Sequence, residues 1–316
     1  MSEAFGFRAF GGPQVQEFFD RPDPVPEPAE VLIRVTAAGV NPLDHKLRSG
    51  VVPHFYGERP FPQVFGAEAT GVVLAVGAEV EGLDVGDTVF GCAITGAGTY
   101  AGTTVLVGAN TARKPAGLRD DWAATIPVAA TSALNAVDQL DLPRGATVLI
   151  NGVGGGVGLV TAQVAREQGL NVIGTGGTAK RTLAEAVGAR FVDYTDGDVV
   201  DRVRALVPDG VDGLVDLVGG ASLRTVAPLA REPGKVVSVA DATVAELGGE
   251  MVRRRVDRAD LERAAALMVE GRLDPYIVGT YPLARAAEAL ALVESGHALG
   301  KVVIDLTRGP GVGAAE

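Results

Sequence analysis

The sequence has few of the residues that build covalent or metal-linked frameworks. One cysteine and three histidines occur among 316 residues, which excludes an intrachain disulfide and a structural zinc site made of several thiolates. A single cysteine also fits a reducing compartment. No apolar stretch reaches the length of about 18 residues that a membrane-spanning helix needs, so we expect no membrane partner.

Positive charge is also scarce. The formal net charge is −11, and an acidic surface of this kind repels nucleic acid and anionic membranes. The one short basic run, residues 253–255, is interpreted as an exposed strand or loop end. Residues 1–10 are neither basic nor continuously apolar, unlike a signal peptide, so we expect a cytoplasmic protein.

What the chain does contain is apolar material and glycine. Hydrophobic residues make up 47% of the sequence and glycine contributes 43 residues, enough for a sizeable core with many tight turns. The length suggests two domains. The first part of the chain predicts short strands separated by Gly, Pro and Asp, as in a compact barrel-like domain; these strands are predicted at residues 31–35, 71–77, 87–91 and 100–107.

From about residue 119 the pattern changes. Residues 122–140 predict two helices broken near Pro127. Beyond them, apolar strands alternate with helices, which is typical of an α/β parallel sheet covered on both faces. A final strand at residues 300–305 could return to the first domain. The predicted strands are 147–151, 171–175, 191–194, 213–218 and 235–239, and the main predicted helices are 157–168, 179–187, 259–271 and 283–295.

A glycine-rich turn lies between the strand at 147–151 and the next helix. Such a turn lets backbone N–H groups at a helix start face a pyrophosphate, whose charge the helix dipole favours. The spacing G-x-G-x-x-G would require glycine at 153, 155 and 158, and Val153 breaks it at the first position. We nevertheless predict a dinucleotide site, because the strand–turn–helix context is present; its candidate residues are Gly155, Gly156, Val157 and Gly158.

The end of the following strand indicates which dinucleotide binds. An NAD site usually has an acidic residue there for the ribose 2′-hydroxyl, and residues 173–181 contain none. Gly176 leaves space, and Lys180 and Arg181 can supply charge to a 2′-phosphate, so the prediction is NADPH. The alternative for these two cations is an ordinary solvated helix start. Tyr194 could reach the 2′-phosphate or the adenine, although packing in the core or at its rim explains it equally well.

Seven segments follow one another along the chain, at residues 36–44, 66–71, 85–89, 126–133, 151–158, 216–220 and 300–303. Taken together and in order, they resemble those of zinc-independent quinone oxidoreductases in the medium-chain dehydrogenase/reductase superfamily. They cover nearly the whole chain. The resemblance implies an α/β fold with a Rossmann doubly wound parallel sheet at residues 119–255 and a GroES-like, β-barrel-type catalytic domain at 1–118 and 256–316. It also implies a homodimer formed through the last strand of the cofactor domain.

The resemblance further implies hydride transfer from NADPH to a quinone, or to the C=C bond of an α,β-unsaturated carbonyl, without zinc. Zinc-dependent members have a cysteine where this chain has Asn41 and a histidine where it has Ala67. Asn41 is expected to stabilise the substrate oxygen, and Asp44 either orients the site or caps a helix. The resemblance also implies Ser132, Val218 and Lys301 as cofactor-binding residues. Tyr56, His45 and His54 lie in or after the Asn41 segment and are candidate catalytic donors, with a surface or core position as the alternative for each.

Two other functions are compatible with the sequence. One is an enoyl-thioester or biosynthetic enone reductase of a specialised pathway. The other is an NADPH-binding sensor or structural protein without turnover, since a fold can bind a cofactor without catalysing a reaction. No residue is identified as the proton donor.

Overall fold

The computed structural model describes residues 1–52, 57–93 and 96–307. In this part of the chain the strands are β1 (Ser2–Phe7), β2 (Gln16–Arg21), β3 (Glu30–Val40), β4 (Gln63–Val64), β5 (Glu68–Val76), β6 (Thr88–Cys92), β7 (Thr103–Val107), β8 (Thr111–Arg113), β9 (Thr147–Asn151), β10 (Asn171–Gly176), β11 (Arg190–Asp193), β12 (Gly213–Asp216), β13 (Val236–Ser238), β14 (Glu250–Met251), β15 (Ile277–Pro282) and β16 (Lys301–Asp305). The α-helices are α1 (Pro42–Arg48), α2 (Asp120–Ala123), α3 (Thr131–Leu140), α4 (Gly156–Glu167), α5 (Arg181–Ala186), α6 (Val199–Leu206), α7 (Gly220–Val226), α8 (Arg258–Val269) and α9 (Ala286–Glu294).

The chain divides into two compact units. The first consists of Met1–Val128, Val256–Val269 and Ile277–Glu316, and the second of Ala129–Arg255 and Glu270–Tyr276. Residues 119–128 therefore belong with the first unit, although the sequence analysis began the second domain at 119. Helix α2 is followed by a turn of π-helix at Ile126–Ala130. This turn contains Pro127, where the sequence predicted a helix break.

The first unit is built on two sheets whose described strands pair antiparallel, except for β15 and β16, which run parallel. One has the strand order β15-β16-β3-β5-β6-β8, with β7 also pairing with β3, and the other has the order β2-β1-β4. The long strand β3 alternates buried and more exposed residues along its first half, and Ile33 and Val35 face the core. Strand β16 returns to pair with β3, placing Ile304 opposite Ala38, as the sequence predicted for the final strand.

The second unit contains one parallel sheet with the strand order β11-β10-β9-β12-β13-β14. Read from β9 as strand 1, this is the order 3-2-1-4-5-6 of a doubly wound Rossmann fold. Val148, Leu149 and Ile150 of β9 are fully buried, as a strand covered on both faces requires. The strand order reverses between β9 and β12, and ligands of such sheets bind beyond the carboxyl ends at that point.

Candidate active site

Asn41 lies at the junction between a strand and a helix. Strand β3 ends at Val40, and α1 begins at Pro42 with its ring in the first turn, where a fixed φ and a missing N–H are tolerated. The Asp44 carboxylate accepts the backbone N–H of Asn41 at 2.9 Å. The helix start therefore fixes the backbone of Asn41 as the first residue of a capping box with Asp44.

The Asn41 side chain is held between a cation and an anion. Its Oδ1 accepts a hydrogen bond from Lys301 Nζ at 2.8 Å, and its Nδ2 donates to Glu68 Oε1 at 2.8 Å. An ammonium only donates and a carboxylate only accepts, so these partners fix the orientation of the amide. Among the described residues, Glu68 is the one acceptor of Nδ2, so the second N–H of this nitrogen makes no hydrogen bond there.

Glu68 is the centre of this cluster. It is fully buried and accepts from Asn41 Nδ2, from Lys301 Nζ at 2.9 Å and from the backbone N–H of Val128 at 2.7 Å. A Cβ on Gly39 would lie 2.2 Å from Glu68 Oε1 and 2.7 Å from the Ala124 carbonyl oxygen. Glycine at position 39 is therefore required for the carboxylate to sit here. The sequence analysis did not connect Glu68 to Asn41.

Asp44 has a capping role in the structure. Besides the Asn41 N–H, its carboxylate accepts from the Tyr100 hydroxyl at 2.9 Å and from the Gly66 N–H at 3.2 Å. Complete burial raises the pKa of Asp44 to about 6, although these hydrogen bonds and the charge of Lys301 act to lower it. Burial and the adjacent Asp44 raise the pKa of Tyr100 well above its ordinary value. Asp44 therefore orders the segment that carries Asn41.

The titration of Asp44 predicts a pH dependence of stability. Because its folded-state pKa of about 6 exceeds the ordinary 3.8, the folded protein holds this proton more tightly than the unfolded chain, and stability falls as pH rises from about 4 to about 6. The full difference corresponds to ~3 kcal/mol. The free energy of unfolding of Asp44→Asn, measured with urea, should therefore rise relative to that of the parent by ~2–3 kcal/mol when the pH is raised from 4 to 7. The exposed control Asp20→Asn should show no such change, and parallel pH profiles for Asp44→Asn and the parent would contradict the assignment.

The glycine turn of the second unit brings the start of α4 close against the backbone that follows β9. Gly152 has φ +91°, and a Cβ on Gly158 would lie 2.4 Å from its carbonyl oxygen, so α4 packs against the turn only because position 158 is glycine. A Cβ on Gly155 would meet no heavy atom closer than 3.8 Å. In the described chain no side chain caps Gly155, and the first helical bond is donated by Leu159. The N–H groups of Gly156, Val157 and Gly158 are thereby left for an anion.

Lys180 lies directly against this turn. A Cβ on Gly154 would be 2.4 Å from Lys180 Cβ, and a short 3₁₀ turn, Thr178–Lys180, brings the lysine there from the end of β10. The Tyr194 hydroxyl is 3.4 Å from the Cβ position of Gly177, and its side chain is 59% exposed. The structure therefore places the predicted cation and aromatic residue together beyond the carboxyl ends of β10 and β11.

Two further predicted residues of this region have local contacts. A Cβ on Gly176 would lie 2.9 Å from the Phe191 ring, so glycine permits that ring to pack at the strand end. The Arg181 guanidinium stacks over Phe191 at 4.9 Å from the ring centroid and pairs with Glu185 at 3.4 Å. Its side chain is 41% exposed, so Arg181 remains accessible while it makes these contacts.

A row of buried polar side chains crosses the carboxyl ends of β10, β9, β12 and β13. Thr175 Oγ1 donates to Asn151 Oδ1 at 2.8 Å, Asn151 Nδ2 donates to Asp216 Oδ1 at 2.8 Å, and Ser238 Oγ donates to Asp216 Oδ2 at 2.7 Å. The sequence analysis missed this row. Its signal was present, since each of these strands has a polar residue at or next to its carboxyl end.

Val218 follows this row and faces the glycine turn. Its backbone N–H and that of Gly219 donate to Asp216, which fixes the turn after β12. A Cβ on Gly152 would lie 2.8 Å from Val218 Cγ2, and the Val218 side chain is 52% exposed. The predicted cofactor residue Val218 thus borders the glycine turn at the point where the strand order reverses.

The other predicted residues lie elsewhere or outside the described residues. Ser132 is in the first turn of α3 and is 1% exposed. Lys301, given as a cofactor-binding residue by the resemblance, lies in the Asn41 cluster, where its ammonium donates to protein oxygens. Tyr56 and His54 fall outside the described residues. The described part of the chain has no group of three or more His, Cys, Asp or Glu side chains that could hold a metal ion, and no helix long and apolar enough to cross a membrane.

Two family models match separate segments of the chain. The model of the alcohol dehydrogenase GroES-like domain matches residues 27–127, and the model described as zinc-binding dehydrogenase matches residues 187–304. The quinone oxidoreductase of Pongo abelii is 30% identical over 93% of this chain and 95% of its own. The chloroplastic NADPH-dependent alkenal/one oxidoreductase of Arabidopsis thaliana is 31% identical over 89% of this chain and 73% of its own.

A solved structure agrees with these relationships. The quinone oxidoreductase from Coxiella burnetii superposes with a TM-score of 0.88 at 28% identity, covering 96% of this chain and 99% of its own. A GroES-like unit together with a doubly wound nucleotide-binding unit defines the medium-chain dehydrogenases/reductases. Within that class, the chain belongs to the quinone oxidoreductase family.

Proposed function

We propose that the protein is an NADPH-dependent oxidoreductase that transfers hydride to a quinone or to the C=C bond of an α,β-unsaturated carbonyl. The observation that carries the proposal is the oriented Asn41 amide, which has an N–H left for an oxygen on the substrate. The names of the relatives, a quinone oxidoreductase and an alkenal/one oxidoreductase, support the same substrate class. Asn41 and Ala67 are not metal ligands, so no step is assigned to zinc.

The second unit fits a dinucleotide. The glycine turn leaves room at Gly155 for close approach of a pyrophosphate, and the first N–H groups of α4 would bind it. Lys180, Arg181 and Tyr194 would bind the adenosine 2′-phosphate, and Val218 would border the cofactor on the opposite side of the turn. When bound, NADPH supplies the hydride.

Asn41 would act on the charge that develops on the substrate. Hydride arriving at the β-carbon of an enone, or at a quinone, moves an electron pair towards the carbonyl oxygen. The free Asn41 N–H would donate to that oxygen in a buried site, where a preorganised donor is most effective. The oxygen or the adjacent carbon then takes a proton from solvent, completing a two-electron, two-proton reduction.

Turnover assays test this function. The parent protein should oxidise NADPH with 1,4-benzoquinone, 9,10-phenanthrenequinone or 2-alkenals, and Asn41→Ala should lower kcat by about 10² because one oxyanion donor is lost. The matched control is Asn171→Ala, whose exposed amide bonds the Gly145 carbonyl at the opposite end of β10, and it should leave kcat unchanged. Turnover of an enoyl-thioester and of none of these compounds would indicate an enoyl-thioester reductase instead. NADPH binding without turnover of any of these compounds would instead indicate a sensor.

Cofactor preference tests the predicted phosphate site. The double variant Lys180→Ala/Arg181→Ala should raise the Kd of NADPH about 10- to 100-fold, because charged hydrogen bonds to the 2′-phosphate are lost, and should leave NADH binding unchanged. Isothermal titration calorimetry measures both. Arg190→Ala removes a cation from the amino end of β11 and should change neither Kd. Equal affinity of the parent for NADH and NADPH would refute a dedicated phosphate site.

We also propose that the protein is a cytoplasmic homodimer formed through β14. This strand is the outer member of the parallel sheet and pairs only with β13 within the described sheet, and Met251 on it is 40% exposed. An outer strand can pair with a second copy of itself across a two-fold axis, which here would replace the hydrogen bond from the Gln139 side chain to the Met251 carbonyl. Light scattering should give twice the 32.3 kDa chain mass; a monomer at micromolar concentration would rule this assembly out.

A further inference from the structure

The ion pair between Lys301 and Glu68 is almost completely enclosed. Nζ and Oε1 are 2.9 Å apart, and the two side chains are 4% and 0% exposed. Burying two charges away from water costs more free energy than burying two apolar side chains of the same size. General stability is therefore a weak explanation for this pair, and the groups that it contacts provide a better one.

Every donor of Lys301 is directed at the segment carrying Asn41. Its ammonium donates to Asn41 Oδ1 at 2.8 Å, to Glu68 Oε1 at 2.9 Å and to the Val40 carbonyl at 3.4 Å. An ammonium has three donors, and these acceptors use all of them. Lys301 in this position has no N–H left for a cofactor phosphate.

The two ions act on opposite ends of one amide. Lys301 requires the amide oxygen and Glu68 requires the amide nitrogen, so together they exclude the flipped orientation of Asn41. A cation on the oxygen also polarises the amide and strengthens its N–H groups as donors, since hydrogen bonds in a chain reinforce one another. Glu68 uses one N–H, and the other is the group that the proposed function directs at the substrate oxygen.

We propose that Lys301 is a positioning residue of the reaction, which acts with Glu68 by locking and polarising the Asn41 amide and touches neither NADPH nor substrate. The inference rests on the proposed role of Asn41. It separates Lys301 from the phosphate-binding residues of the second unit. It also assigns the buried Glu68 a purpose beyond holding the backbone N–H of Val128.

The decisive variant replaces both ions by neutral residues of similar size, Lys301→Met/Glu68→Gln. The glutamine oxygen can still accept the Val128 N–H, which leaves the glutamine NH₂ facing Asn41. Two NH₂ groups repel each other at hydrogen-bond distance, so the Asn41 amide is expected to turn over and direct its oxygen at the new donor. No unpaired charge remains buried, which favours folding of the variant; circular dichroism checks it.

A double-mutant cycle with Asn41→Ala tests whether the pair acts through Asn41. The pair variant should lower kcat at least tenfold with the KM for NADPH unchanged, and adding it to Asn41→Ala should change kcat by less than twofold. An equal loss of kcat in both backgrounds would show a merely structural role and overturn the proposal. A raised KM for NADPH with unchanged kcat would show that Lys301 binds the cofactor, and this result would also overturn the proposal.

A second measurement does not depend on turnover. In protein labelled with ¹⁵N-asparagine, the Asn41 side-chain signals are identified by their loss in Asn41→Ala. In the parent, these amide protons should be protected from solvent exchange, and the pair variant should shift both signals and reduce the protection. Unchanged signals would overturn the proposal whatever the activity. The proposed function fails on a different result, a parent protein that turns over no quinone, enone or enoyl-thioester.

Discussion

Replacing Gly158 by alanine is expected to weaken NADPH binding by a factor on the order of 10³. The new Cβ would lie 2.4 Å from the Gly152 carbonyl oxygen and 2.6 Å from that of Val153. Both are backbone atoms, so the start of α4 must move away from the turn. That movement misaligns the N–H groups proposed to bind the pyrophosphate, and each bond to a charged group contributes ~1.5–3 kcal/mol. Calorimetric titration of NADPH measures the loss.

The matched control is Gly234→Ala in the same unit. A Cβ at Gly234 would meet no atom within 4 Å, and its backbone is not in the left-handed region. The control should bind NADPH as the parent does, and both variants should retain the circular dichroism of the folded chain. Parental affinity in Gly158→Ala would mean that the cofactor does not use this helix start.

The glycine turn could be predicted from sequence because its determinants are local. An apolar strand, a run of small residues and a helix follow each other within about twenty residues. Valine at position 153, where the G-x-G-x-x-G spacing has glycine, is explained only by the structure. Val153 is fully buried, and a Cβ on Gly174 would lie 2.6 Å from Val153 Cγ1. A glycine on the neighbouring strand thus provides the space that the valine takes up.

The Asn41 cluster could not be predicted in the same way. Asn41 was found from its segment alone, but Glu68 and Lys301 are 27 and 260 residues away in sequence. Only the pairing of β16 with β3 and of β3 with β5 brings the three together. A lysine in a strand gives no local sign that its charge is buried, so nothing in the sequence placed Lys301 beside Asn41. The row from Thr175 to Ser238 was missed for a similar reason, since its bonds cross four strands.

Replacing Lys301 alone by methionine is expected to lower the free energy of unfolding of the first unit by ~3–5 kcal/mol. The substitution removes the cation and leaves the fully buried Glu68 carboxylate with only the Asn41 amide and the Val128 N–H. An uncompensated buried charge is more costly than the loss of the pair as a whole. Lys301→Met/Glu68→Gln should therefore be more stable than Lys301→Met, although it carries one more substitution.

Urea unfolding of the parent, the single variant and the pair variant measures this difference. The control Lys114→Met removes the partner of Asp120, a pair at 3.3 Å in which both side chains keep contact with solvent, and should cost less than ~1 kcal/mol. If Lys301→Met matched that control, water would have to reach Glu68 in solution. The amide of Asn41 would then lack the dry surroundings in which its orientation and its strength as a donor depend on Lys301.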